Sequence, residues 1–479
     1  MDRVENYFIR HLVNYLDRNP IDNTIRFVNT INRLGLFRLQ KNKVDVIFRQ
    51  LKNADNQWHG FIENMSQEIN ANARKKLIGN FLLKSMLLPK KRREKLRRKQ
   101  AIPSIILLDP TSACNLSCTG CWAKDYSKTD SLSYELLDRI IREGKEIKVF
   151  TYIYSGGEPL IRKKDIIRLC EKHPDCYFMA FTNGTLIDDQ FAAEVARVGN
   201  FAPAISIEGF EDMTDFRRGK GTYDKVIQAM EIMHKHGNLF GFSATYHRLN
   251  TDVIGSEEFL NRMRELGCYF GWYFTYMPVG SDARPDLLAT AEQRASMYFR
   301  LRDYREKYPM FLMDFWNDGE YTLGCIAGGR QYMHINARGD VEPCAFIHYS
   351  SANINEVSLK EALRQPLFEQ YRKNQPFNTN YLQPCPCLDN PEKLRMMVNK
   401  SKAPSTHLND LETVEELTAK CEKTSTEWAK MACILNGCGA TNAEKMCTAG
   451  QNNKSHSGAE KSSTTTLRLI QEEVAAGKK

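Results

Sequence analysis

Cys114, Cys118 and Cys121 stand in C-x3-C-x2-C spacing within DPTSACNLSCTGCW, residues 109–122. Three thiolates on one short loop can hold a zinc ion or an iron–sulfur cluster. Structural zinc takes four ligands, yet no histidine lies between His59 and His173, and the next cysteine is Cys170. Three local ligands without a fourth suit a [4Fe-4S] cluster with one iron open to bind something else.

The elements that must position this loop can be read on either side of it. The isoleucine- and leucine-rich run 105–108 reads as a short buried strand, so the cysteines leave its C-terminal end, where (β/α) barrels build their active sites. Strand-like runs recur at 105–109, 149–155, 176–182, 203–208, 240–246 and 271–277. Amphipathic helical stretches fall between them at 134–147, 163–173, 189–198, 222–236 and 256–266. Strands alternating with helices predict an α/β fold with parallel strands and helices outside. Right-handed crossovers would curl six such units into an open barrel, although the pattern alone also admits a doubly wound sheet.

With these residues in view, the sequence resembles the radical S-adenosylmethionine (radical SAM) enzymes. Gly156-Gly157-Glu158-Pro159, Thr182-Asn183-Gly184 and Ser206-Ile207-Glu208 close successive strand-like runs in the family's order. The resemblance implies a partial (β/α)6 TIM-like barrel holding a [4Fe-4S] cluster and S-adenosylmethionine. It implies that Gly156, Gly157, Glu158 and Pro159 meet the methionine amino group, and that Ser206 and Glu208 contact ribose or amine. Arg217 or Arg218 would meet the methionine carboxylate, a planar donor matched to that acceptor. Asn183 is read either as a cofactor contact or as a left-handed turn residue. One position departs from the family, in which an aromatic residue usually precedes the third cysteine. Gly120 stands there, and Trp122 is taken as the substitute shield.

Further on, Cys325 and Cys344 enclose Gly339 as C-x13-G-x4-C, which resembles the auxiliary-cluster hairpin of the SPASM and twitch extensions. Residues 333–336 and 341–345 are its expected strands, with 336–340 as the turn. The resemblance implies one auxiliary cluster, with Cys385 as third ligand and Cys387 and Cys421 competing for the fourth place; an open iron there is the other option. Cys170, Cys176 and Cys268 are expected to be packing residues. Cys433, Cys438 and Cys447 could join Cys421 in a metal knuckle, in spacing that fits no family motif.

The length of 479 residues allows two or three domains, and a 42% hydrophobic fraction is ample for a core. Expected units are a helical, basic N-terminal region at 1–100, the barrel at 101–285, a small C-terminal iron–sulfur extension at 286–400, a cysteine-containing helical region at 401–450, and a disordered Ser/Thr/Asn/Lys-rich tail at 451–479. The opening MDRVENYFIR has an early acid and no apolar segment, so no secretory signal is expected; the location expected is the cytoplasm, where clustered cysteines bind metal more often than they pair. The apolar stretch 78–88 precedes KKRREKLRRK at 90–99, with eight basic residues and one acid. That pairing reads as a solvated linker or as a peripheral contact with an anionic membrane at its inner face; nucleic acid ranks below both, because no aromatic residues are interleaved.

The function implied by the resemblance is reductive cleavage of S-adenosylmethionine to a 5′-deoxyadenosyl radical, which takes hydrogen from a peptide, protein or lipid substrate. A low-potential electron donor such as ferredoxin or flavodoxin would serve it. The rival reading is a non-catalytic zinc or iron–sulfur protein on the same barrel. That rival leaves Glu158, Ser206, Glu208 and the arginine pair without a role.

Overall fold

The computed structural model describes residues 3–33, 51–87, 100–280, 282–407 and 412–437. Its centre is one nine-stranded sheet in the order β7-β6-β5-β4-β3-β2-β1-β8-β9. The six expected strands are β1 (Ile105–Leu108), β2 (Thr151–Tyr154), β3 (Tyr177–Thr182), β4 (Phe201–Ser206), β5 (Gly241–Tyr246) and β6 (Phe270–Thr275). They pair in parallel in sequence order, and β7 (Phe311–Asp314) continues the series beyond β6. Helices Tyr134–Glu146, Lys163–Lys172, Asp189–Val198, Thr222–Lys235 and Glu257–Glu265 connect them.

Strand alternation sorts side chains into two layers. On β6, Tyr273 packs outward among the helices, whereas Phe270, Trp272 and Phe274 join the inner cluster with Tyr177, Met179 and Phe181 of β3. The Phe181 ring lies 5.1 Å from Trp272, although two strands separate β3 from β6 in the sheet. Three strand spacings of about 4.8 Å would hold those side chains roughly 14 Å apart on a flat sheet, so the contact requires a strongly curled one. The sheet is an unclosed partial barrel.

The hairpin of the extension is not a separate layer. Its first strand, β8 (Tyr332–Ile335), pairs in parallel with β1 from Ile105↔Tyr332 to Leu108↔Ile335, and β9 (Val341–Glu342) returns antiparallel. Gly339 takes φ +95 in the turn, where a Cβ would also crowd Asn353 and Asn355.

The described residues of the N-terminal region are mostly helical, and they close the end of the barrel opposite the cysteine loops. Helix Gln57–Glu68 is capped by Asn56, and helix Ala71–Lys76 by Asn70. A wider, π-type run, Leu77–Leu87, follows. Phe81 packs its ring 5.5 Å from Tyr177 at the start of β3, Leu83 is buried, and Tyr269 donates to Glu68 at 2.6 Å. Lys84, also buried, pairs with Asp175 at 2.7 Å. The apolar stretch, read above as part of a solvated linker or of a membrane contact, packs largely against the barrel, with Leu82 left exposed. No helix among the described residues is long and apolar enough to cross a membrane. The basic run 90–99, Cys438, Cys447 and the tail 451–479 lie outside the described residues.

Candidate active site

The three-cysteine loop is held by its neighbours through backbone bonds. Gly157 N donates to Thr111 O at 3.0 Å, Glu158 N to Ala113 O at 2.8 Å, and Thr119 N to Arg217 O at 2.8 Å. Cys114, Cys118 and Cys121 thus line one cavity of about 240 Å³ with the loops that follow β2 and β4. Burial pushes the Cys114 and Cys121 thiols up, a cost that disappears when a metal takes the proton's place.

The glycines of the GGEP segment have a reason the sequence did not show. Gly156 sits at φ +98, where a Cβ would fall 2.7 Å from Thr111 O; a Cβ on Gly157 would overlap the Ala113 carbonyl. They let the post-β2 loop lie on the cysteine loop, whereas the expectation was close approach to a ligand. Glu158 is buried. Its Oε1 accepts from Leu160 N and Thr182 Oγ1 at 2.9 and 2.6 Å, and its Oε2 from Asn183 N at 2.8 Å. Burial raises its pKa against these bonds. Pro159 then opens a short helical turn. Glu158 therefore clamps two loops while also lining the cavity. In the TNG turn Gly184 takes the left-handed conformation at φ +76, which corrects the turn reading of Asn183. The Asn183 side chain instead donates to Asn115 in the cysteine loop at 2.9 Å.

Ser206 lines the cavity and meets Ser243 at 3.0 Å. Glu208 is fully buried and does not line it. Its Oε1 accepts from Arg217 Nη1 at 2.5 Å and from Arg218 Nε and Nη2 at 3.0 and 2.5 Å, while its Oε2 accepts from Thr245 N at 3.1 Å. Glu208 thus orients both candidate arginines, in place of the cofactor contact expected of it. Two guanidiniums on one carboxylate leave a positive charge at the cavity. Arg217 Nε is a buried donor with no hydrogen-bond partner among the described residues. Three thiols with an uncompensated guanidinium beside them fit a thiolate-ligated cluster and a ligand bearing a carboxylate.

The departure at Gly120 is explained by the end of β6. Gly120 takes φ +64, and a Cβ there would lie 2.6 Å from the hydroxyl of Tyr276 and 2.7 Å from its ring. Tyr276 thus occupies the space that a side chain at position 120 would take. Trp122 lines the cavity too, stacked on His348 at 6.0 Å and edge-on to Phe346 at 5.9 Å.

Behind Trp122 the end of β1 is joined to the hairpin by charge. His334 Nδ1 lies 2.7 Å from Glu342 Oε2, and its Nε2 lies 2.8 Å from Asp109 Oδ2. The second contact is an ion pair without hydrogen-bond alignment, so these Asp109 and His334 atoms also count as lacking a directed partner. Burial works to lower the His334 pKa, but Asp109 and Glu342 outweigh it and raise it to about 10. Nothing local in the sequence marks this trio.

Cys325, Cys344 and Cys385 line a second cavity of about 160 Å³, which shares Trp272, Phe315, Tyr332 and Phe346 with the first. Burial pushes Cys325 up to about 11 and Cys344 to about 12. These thiols lie near one another; no group of three metal-binding side chains closes round one point among the described residues. Cys387 lines neither cavity. Its sulfur faces that of Cys421 at 3.9 Å, both fully buried. Cys170, Cys176 and Cys268 pack in the barrel core, as expected.

Residues 108–269 match the radical SAM superfamily, and residues 325–388 match SPASM, an iron–sulfur cluster-binding domain. The chain thus carries a radical SAM domain followed by a SPASM domain. It is thereby a radical SAM enzyme whose cofactors are a [4Fe-4S] cluster with S-adenosylmethionine and additional iron–sulfur in the extension. An AdoMet-dependent heme synthase of Oleidesulfovibrio alaskensis is 24% identical over 307 residues, 56% of this chain and 76% of that protein. The mycofactocin maturase MftC of Mycolicibacterium smegmatis is 26% identical over 273 residues, 53% of this chain and 67% of that protein. Streptococcus suis SuiB bound to precursor peptide SuiA shares the fold with a TM-score of 0.53 at 17% identity, over 69% of this chain and 79% of SuiB.

Proposed function

We propose that this chain cleaves S-adenosylmethionine reductively and uses the product to take hydrogen from an apolar side chain of a peptide. The observation that carries the reading is that both cysteine sets open on cavities with one shared aromatic wall. Cys114, Cys118 and Cys121 would hold the first cluster, and Cys325, Cys344 and Cys385 the auxiliary one. With S-adenosylmethionine bound, the first cluster supplies sulfonium cleavage and hydrogen abstraction from an unactivated carbon. The chain's own residues bind and exclude. Arg217, oriented by Glu208, offers Nε to a carboxylate; Ser206 offers a hydroxyl; Trp122 and Tyr276 keep water from the loop.

The lining supports an apolar group over a polycarboxylate substrate such as a tetrapyrrole. Its only cations among the described residues are Arg217 and Arg218, which share Glu208 and so leave one net positive charge, enough for the single carboxylate of S-adenosylmethionine. The MftC and SuiB resemblances support a peptide in the same sense. A low-potential donor, ferredoxin or flavodoxin in kind, would reduce the enzyme. The test is anaerobic turnover of reconstituted protein with dithionite. The Cys114→Ala/Cys118→Ala/Cys121→Ala variant should form no 5′-deoxyadenosine while keeping part of its iron. Formation at the normal rate would overturn the assignment.

A further inference from the structure

The cavity of the extension contains a polar group that no contact among the described residues explains. Tyr371, on the helix Pro366–Asn374, is fully buried and lines the cavity with Cys325, Cys344 and Cys385. Its ring is fixed edge-on to Phe377 at 5.4 Å and lies under Gly328, where a Cβ would come within 2.5 Å of it. Its hydroxyl has no hydrogen-bond partner among the described residues. A buried hydroxyl without a partner is destabilising, and phenylalanine would fill the same space without that cost. A tyrosine here points to an acceptor that the polypeptide does not supply.

Tyr332, across the same cavity, already shows the kind of contact that would answer. Its hydroxyl donates to Cys344 Sγ at 2.7 Å. Cys387 and Cys421, expected to compete for the fourth place, face each other instead. The cavity therefore offers three thiols and two phenolic donors.

We propose that Tyr371 donates a hydrogen bond to a sulfur of the auxiliary iron–sulfur cluster, and that with Tyr332 it sets the reduction potential of that cluster. The inference rests on the reading that Cys325, Cys344 and Cys385 hold a cluster. Sulfur in such a cluster carries negative charge that grows on reduction, so a neutral donor aimed at it favours the reduced state and raises the potential. Tyr371 is a tuning residue, with no part in binding S-adenosylmethionine.

The experiment uses the full chain carrying Cys114→Ala, Cys118→Ala and Cys121→Ala, so that only auxiliary iron is read. Tyr371→Phe, which keeps the ring, is compared with its parent by iron and labile sulfide content, by redox titration followed by electron paramagnetic resonance, and by electron–nuclear double resonance in D2O. Unchanged iron, a midpoint moved to more negative potential and loss of one exchangeable proton coupling are expected. Tyr332→Phe should move the midpoint in the same direction. Iron retained with an unchanged midpoint and unchanged proton couplings overturns the inference alone, since the hydroxyl then meets only water. A parent that holds no iron or sulfide overturns the cluster reading itself, and this inference with it.

Discussion

Glu208→Gln is the sharpest test of how the active site is held. The substitution keeps shape and removes the one negative charge that faces both Arg217 and Arg218. Nitrogen–oxygen contacts of 2.5 and 3.0 Å place each guanidinium centre about 4 Å from the carboxylate. At that separation each pair contributes about 4 kcal/mol at an effective dielectric of 20. Desolvation of three buried ions opposes this sum, and it remains for the arginines when the carboxylate goes. A loss of about 3–5 kcal/mol is expected, the range for breaking a buried pair.

The pH dependence has a definite sign. Burial alone would raise the Glu208 pKa, and the two arginines outweigh it and hold it below the ordinary glutamate range. A depressed carboxylate contributes stability that is fully present above its unfolded pKa of about 4.3 and is lost as pH falls through the lower folded value. The gap between parent and variant should therefore be constant from pH 7 to about pH 5 and narrow below that. Urea unfolding of cofactor-free protein at several pH values measures it, and equilibrium dialysis of S-adenosylmethionine against reconstituted protein reads the misplaced arginines as weaker binding. A gap below about 1 kcal/mol, or one that widens toward acid, would refute the reasoning.

Two other expectations concern the ends of the barrel. Asp175 meets Lys84 and Lys145, each at 2.7 Å; against burial these hold its pKa at about 2. With the carboxylate a third exposed, that shift corresponds to about 1 kcal/mol after screening. Asp175→Asn should speed hydrogen exchange of 77–87 roughly fivefold at pH 7, with the difference fading as pH falls from 3.8 toward 2, and unchanged exchange would count against the ion pair. Gly120→Ala should cost about 1–2 kcal/mol for the left-handed backbone alone, plus the displacement of Tyr276. Tyr276→Ala in the same chain should recover the second part, and strictly additive unfolding energies would show that the two residues do not share that space.

Most of the barrel is legible in the sequence because each parallel strand is a short apolar run bounded by glycine or polar loops. The helix at Asp189–Val198 matches its expected bounds, since its apolar period runs from an Asp188 cap to a glycine in the left-handed conformation. The cysteine sets declare themselves by spacing. What stays hidden depends on distant partners. An apolar stretch beside a basic run has the same composition whether it meets a membrane or the open end of a barrel, and contacts with distant residues, Thr151, Asp175 and Tyr177 among them, decide for 77–87. Cys387 is two residues from Cys385, so sequence proximity groups them, but the turn over 386–389 carries it toward Cys421. Tyr276 follows a strand of aromatic residues and nothing distinguishes it until Gly120 is seen beneath it.

The pairing of β8 with β1 makes the extension something other than an accessory. Without β8, the run Ile105–Leu108 would be the rim of the sheet, and an unpaired apolar rim recruits strands from other molecules. The hairpin that leads to Cys344 is thus also the cover of that rim. The shared rim fixes spacing as well. The cysteine loop grows from the end of β1, and the turn toward Cys344 from the end of its neighbour, so the two loops start from strands about 4.8 Å apart. The starting points of the two cysteine-bearing loops are thereby tied to the register of one strand pair.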